Sequence, residues 1–179
     1  MDGVHLRRQT YPKPAKYCWL WTCNVTSSLM DIAHGISVKA MVIVRRPVDG
    51  ALLVTGEPGL EGSVERPPGG TVEFGEHSSE AARREFLEEF GLELQSLHLL
   101  GVLENRFEYR SEVRHEIVFV YGADLADLAA YNIPVWRVRD HPKTSMVRAY
   151  WRDPHASHPR LVPSGLRDLI DSMTPDDLP

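Results

Sequence analysis

The stretch Gly69–Leu92, GGTVEFGEHSSEAARREFLEEFGL, constrains this chain more than any other. It joins two glycines, a spaced acid and a charged helix in one run. The helix is expected to begin near Ser78 or Ser79, either of which can cap its first turn, and to stop at Gly91. Glu85, Glu88 and Glu89 stand at i, i+3 and i+4, so their carboxylates share one helix face. Ala82, Phe86 and Phe90 make a separate apolar stripe that can dock on a core. Like charges on one face repel, each close pair costing a few tenths of a kcal/mol. A divalent cation removes that cost, and hard carboxylate oxygens suit Mg²⁺ or Mn²⁺. Arg84, four residues before Glu88, can orient that carboxylate. A solvated acidic face is the plainer use of such a helix, and it is the spacing that decides against it.

That spacing runs Gly70, five residues, Glu76, seven residues, Arg84-Glu85-Phe86, one residue, Glu88-Glu89, one residue, Gly91-Leu92. It resembles the signature of the Nudix (MutT-like) hydrolases at every fixed position over 23 residues, far more specific than a short motif. The resemblance extends from about Val38 to Ala123 and again over Leu161–Ile170. It implies an α/β Nudix fold, a mixed β-sheet sandwiched between helices. It also implies hydrolysis of a nucleoside diphosphate linked to another group X. By the same resemblance, Glu85, Glu88, Glu89 and the Gly69 carbonyl hold Mg²⁺ or Mn²⁺, Arg84 orients a glutamate, and Glu76 buttresses the loop.

The family draws its general base from different places. Glu85, Glu112 and Glu116 are the candidates, with Glu116 the first choice outside the signature. On the strand HEIVFVY, Glu116 shares a face with Val118 and Val120, and an acid among buried valines needs a partner or a metal. A strand-end glutamate reaching solvent is the structural reading of equal weight.

The identity of X is less legible. Motifs associated with NADH and coenzyme A hydrolases are missing. Fifteen residues past Leu92, the place of a proline in ADP-ribose hydrolases holds Phe107. Tyr109, seventeen past it, stands where diadenosine polyphosphate hydrolases carry a tyrosine; packing against Phe119 is its structural alternative. Arg66, Phe107 and Tyr109 are the candidate substrate-binding residues, and a nucleoside triphosphate stays open as substrate. The rival class is a non-catalytic nucleotide-sensing Nudix-like regulatory domain, which would lose signature acids; none is lost. An isomerase of the same fold needs a cysteine at the metal site, and Cys18 and Cys23 both lie far upstream.

At 179 residues, 42% hydrophobic and 25% charged, one globular domain is the natural count. A formal charge of −5 argues against a broad nucleic-acid surface and requires metal ions and local arginines to bring in a polyphosphate. No apolar run approaches the ~20 residues that span a bilayer, so no membrane partner is expected. Few cysteines and no export signal favour the cytoplasm.

Residues 1–37 read as an N-terminal arm, 38–173 as the hydrolase domain and 174–179 as a frayed tail. The arm packs its tryptophans on the domain or on a second subunit, the latter giving a homodimer; Met30 is an alternative start. Cys18 and Cys23 with His5 and His34 make only a weak zinc pattern. Val38–Val44, with Val38, Ala40, Val42 and Val44 on one face, and Ala51–Thr55 are expected to form a hairpin about Pro47–Gly50. Strands are expected over Leu94–Leu103, Arg106–Arg110, His115–Tyr121, Val135–Arg139 and Met146–Trp151, with Ser111–Arg114 a turn. Short helices are expected over Ala123–Tyr131 and after Gly165.

Overall fold

A computed structural model describes residues 35–56, 63–109, 111–140, 145–157 and 159–173. The expectations for the arm before residue 35, for 57–62 of the glycine-rich loop, for His141–Pro142 and for the tail lie outside the described residues.

The strand β1 (Ser37–Ile43) is the structural centre. It sits inside a four-stranded sheet of order β4-β1-β6-β5, with β4 spanning Gly69–Thr71, β5 Leu94–Tyr109 and β6 Glu112–Leu125. The β1–β6 pair is parallel, from Ser37 opposite Glu116 to Ile43 opposite Gly122, while β1–β4 and β5–β6 are antiparallel, so the sheet is mixed. A second, antiparallel sheet has the order β2-β8-β7, from β2 (Leu52–Gly56), β7 (Val135–Asp140) and β8 (Ser145–Arg152). Two short strands, β3 (Val64–Glu65) and β9 (Arg160–Leu161), pair in parallel.

Alternation along β1 sends its side chains into two cores. Ala40, Val42 and Val44 pack with Ala81, Ala82 and Phe86 of helix α1 (Ser78–Phe90). Met41 and Ile43 pack with Val118, Val120 and with Leu166 and Ile170 of helix α2 (Leu166–Asp171). The sheet therefore lies between two helices. Phe86 is fully buried and stacks on Phe90 at 4.6 Å, and Phe90 meets Trp136 edge-on at 5.8 Å, which ties α1 to the second sheet.

Several local expectations change on contact with this topology. The turn about Pro47–Gly50 does form: Gly50 N–H donates to the Arg46 carbonyl at 2.8 Å and Leu53 N–H to that of Val44 at 3.0 Å. Beyond it the two strands part into different sheets, and β1 packs on both of its faces. The two strands expected over 94–110 are one 16-residue strand, broken only by irregularities at Gln95/His98 and Leu99/Gly101. Its partner β6 begins at Glu112, so the turn tightens around Ser111 at φ 63°. Ala123 and Leu125 finish β6 because Leu125 pairs with Leu94; only Leu128–Asn132 coils, as a 3₁₀ turn.

Candidate active site

Helix α1 is pinned at both ends. His77 stands at its N-cap and donates its N–H to Glu80 Oε2 at 2.9 Å. Ser78, expected as a cap, is instead the first helical residue, and its hydroxyl bonds to that of Tyr121 at 2.7 Å, holding the helix to β6. Gly91 closes the helix at φ 68°, a left-handed position that glycine takes without strain.

The acid face points to the edge strand β4. Glu85 sits directly against Gly70, where an added Cβ would lie 2.2 Å from the carboxylate carbon. Only glycine leaves that space open. Arg84 organises the rest: Nε donates to Glu76 Oε1 at 2.8 Å, and Nη2 donates to Glu76 Oε2 and to the Thr71 carbonyl, both at 3.0 Å. Its Nη1 lies 3.0 Å from Glu85 Oε1 and 3.8 Å from Glu88 Oε1. The guanidinium, with help from the Glu73 N–H, holds the Glu76 carboxyl down to about 2. Arg84 is pushed above its usual range, first by Glu76 and then by Glu85. Glu85 has 13% of its side chain exposed and Glu88 41%, while one oxygen of Glu89 is shut away from solvent.

Gly69 takes φ 139°, and an added Cβ there would lie 2.1 Å from the Ala40 carbonyl oxygen. The neighbouring Pro68 carbonyl accepts from Val42 N–H at 2.9 Å, which locks the entry of β4. Among the described residues, no three His, Cys, Asp or Glu side chains converge as a ready-made metal cluster. The donor set still suits a hard cation: carboxylates on one helix turn, with the Glu85 carboxylate laid directly against the glycine backbone of β4.

The other candidates sit elsewhere. Arg66 bridges to Thr55 through paired backbone bonds of 2.8 and 3.1 Å, just upstream of Gly69. Asn105, Phe107 and Tyr109 of β5 lie opposite Glu116, Arg114 and Glu112 of β6, so all six share one face. That is the α2 face, since Val118 continues it into the α2 core, whereas Phe119 and Tyr121 pack on the α1 side. Tyr109 is thus placed across from Glu112, not against Phe119. Glu112 pairs with Arg114 at the exposed hairpin end. Glu116 is half-buried and accepts from Asn105 Nδ2 at 3.1 Å; the contacts do not bring it to the helix acids.

One buried acid escaped the sequence reading. Glu65 is 2% exposed and held by Tyr150 and by Arg152, itself equally buried. Arg152 also donates to the carbonyls of Asp153 at 3.0 Å and Pro159 at 3.3 Å. Its only sequence cue is a glutamate one residue before Arg66 in a run that leads to Gly69.

Residues 36–172 match the family model described as the NUDIX domain. The chain belongs to the Nudix family. Over 56 residues it is 43% identical to an oxidized purine nucleoside triphosphate hydrolase of Danio rerio, covering 31% of this chain and 35% of that protein. The match therefore spans about a third of that relative's length. The fold is similar to a MutT NUDIX hydrolase from Burkholderia pseudomallei, with a TM-score of 0.55 and 22% identity over 78% of this chain and 99% of that one. A NUDIX hydrolase from Nitrosomonas europaea is similar at a TM-score of 0.54 and 20% identity, over 76% of this chain and 87% of that one. Among the described residues, no helix is long and apolar enough to cross a membrane.

Proposed function

We propose that this Nudix chain is a divalent-cation-dependent pyrophosphohydrolase that cleaves a nucleoside diphosphate linked to a group X. The observation that carries this reading is the Gly70 opening filled by the Glu85 carboxylate, with Arg84 bridging Glu76, Glu85 and Glu88. Glu85, Glu88, Glu89 and the Gly69 carbonyl are the residues that would hold Mg²⁺ or Mn²⁺. Bound there, the cation supplies charge neutralisation at the diphosphate and acidifies water. Arg84 fixes the carboxylates' orientation through its two bonds to Glu76, and the missing side chain at Gly70 lets the Glu85 carboxylate lie against β4. The Danio rerio relative's description supports a purine nucleoside triphosphate ahead of ADP-ribose or dinucleoside polyphosphates.

The test is incubation with Mg²⁺ and a panel of nucleoside triphosphates (ordinary and oxidised), ADP-ribose, diadenosine polyphosphates, nucleotide sugars and NADH, with products read by chromatography. Cleavage of one class, reduced about a hundredfold or more in Glu89→Gln, is the expected result. Turnover unchanged in Glu89→Gln overturns the metal assignment. Thermal stabilisation by a nucleotide without any cleavage makes the domain a sensor instead.

A further inference from the structure

We propose that the outer edge of β5 pairs with the same edge of a second copy of this chain, antiparallel and with Asn105 opposite Asn105. Such a two-fold contact is independent of the hydrolase chemistry above.

β5 lies at the end of the mixed sheet, and among the described residues its strand partner is β6 alone. An edge strand carries a row of backbone N–H and C=O groups that can template another strand. Natural edges are blunted by proline, lysine, short length or bulges. β5 runs for 16 residues, and both of its irregularities lie before Gly101. From Gly101 to Tyr109 it pairs residue for residue with Val120 to Glu112, and this stretch, GVLENRFEY, holds neither proline nor lysine. A long, regular edge is therefore presented.

What guards that edge is charge, and the charges alternate in sign. Glu104, Arg106 and Glu108 share one face of the strand, opposite to that of Asn105. Directly opposed residues of an antiparallel pair share a face, so a two-fold pairing must be centred on a residue. Centred on Glu104, it sets that glutamate against itself. Centred on Arg106, it sets Arg106 on Arg106 and Glu104 on Glu108. Centred on Asn105, it sets Glu104 against Arg106 twice over. Opposite charges directly across strands stabilise and like charges destabilise. Asn105 is also the midpoint of Gly101–Tyr109, so every residue of the regular stretch finds a partner. A centre on Phe107 matches Arg106 with Glu108, but only residues 105–109 of β5 then overlap. Charge and overlap select the same register.

On the α2 side that register sets Phe107 against Leu103 and Tyr109 against Gly101. Phe107 and Tyr109 are 37% and 53% exposed in the single chain, so apolar surface is left for the second copy to cover. Leu169 lies over Gly101, 3.1 Å from where a Cβ would stand, and an aromatic ring across from an edge glycine covers the backbone that the glycine leaves bare. Glu104 already meets His115 Nε2 at 2.7 Å within the chain. A carboxylate accepts from more than one side, so Glu104 keeps that contact while meeting Arg106 of the second copy. The two four-stranded sheets then run on as one.

Sedimentation velocity of the full chain over a concentration series reads the association directly, and a reversible dimer is expected. Arg106→Glu is expected to weaken it about tenfold or more, because both cross-strand pairs become repulsive. Glu104→Arg combined with Arg106→Glu restores opposite charges and is expected to return association to near the wild-type level. Glu108→Arg, whose counterpart is Val102, is expected to leave it unchanged. All three side chains are exposed, so the variants are expected to keep the fold, which circular dichroism checks. A chain that stays monomeric at every concentration overturns the proposal. So does a dimer that Arg106→Glu leaves untouched, which places association elsewhere on the chain, or one that the double variant fails to restore. A dimer lost in Glu108→Arg moves the centre to Phe107 and overturns the Asn105 register.

Discussion

Arg84 and Glu76 face each other as a fork on a fork, with two near-parallel hydrogen bonds of 2.8 and 3.0 Å across eight residues of chain. The pair fastens the loop after β4 to the middle of α1. Glu76 has its carboxyl lowered from 4.5 to about 2, so its folded value is the depressed one. Its contribution to stability is therefore complete above about 4.5 and is lost as pH falls toward about 2. The expected outcome is a thermal midpoint that separates wild type from Glu76→Gln at neutral pH, with the two curves converging as pH drops through that window. Curves that run parallel throughout would deny the pairing.

Arg84→Lys keeps the charge and loses the fork. A lysine cannot bond both Glu76 oxygens in plane while also reaching the Thr71 carbonyl and Glu85. Turnover is expected to fall about ten- to a hundredfold, as when a residue that orients metal ligands is removed, with the fold retained because the side chain is partly exposed. Circular dichroism alongside initial rates checks both halves. Loss of helix signal would mean that Arg84 mainly holds α1 in place.

Gly69 and Gly70 separate backbone need from site need. Alanine at Gly69 meets the Ala40 carbonyl at 2.1 Å and must also take φ 139°, so about 3 kcal/mol or more of stability is expected to be lost. Alanine at Gly70 meets only the end of the Glu85 side chain, at 2.2 Å, which can swing aside. Gly70→Ala is expected to unfold near the wild-type midpoint while losing Mn²⁺ affinity, read by calorimetry. Wild-type Mn²⁺ affinity in that variant would place the metal away from Glu85.

The residues that were legible are those whose role is local. Gly91 ends α1 and the helix expected after Gly165 forms over Leu166–Asp171, because caps and apolar stripes act over a few residues. Ser78 misled for a long-range reason: its hydroxyl is taken by Tyr121, 43 residues away. The turn at Pro47–Gly50 was visible, but not the parting of its strands, since β2 is claimed by β8, distant in the chain. The shared face of Glu116, Asn105 and Phe107 needed the β5–β6 register, which two irregularities in β5 had obscured.

Glu65 is the sharpest case of what pattern alone hides, and it yields a stability test. It lies in a two-residue strand, yet its carboxylate and Arg152 are both 2% exposed. Val162 N–H adds a bond to the Glu65 carbonyl at 2.8 Å, and Arg152 reaches on to the 153–159 segment, so β3, β8 and β9 meet at this pair. Removing one partner strands a buried charge. Arg152→Met is therefore expected to cost about 3–5 kcal/mol in denaturant unfolding. Glu65→Leu combined with Arg152→Met removes both charges and is expected to cost clearly less than Arg152→Met alone, because no ion is then left without its counterion. If the double variant instead loses the sum of the two single effects, the pair is not coupled and the burial of Glu65 is sustained by Tyr150 and the backbone around it.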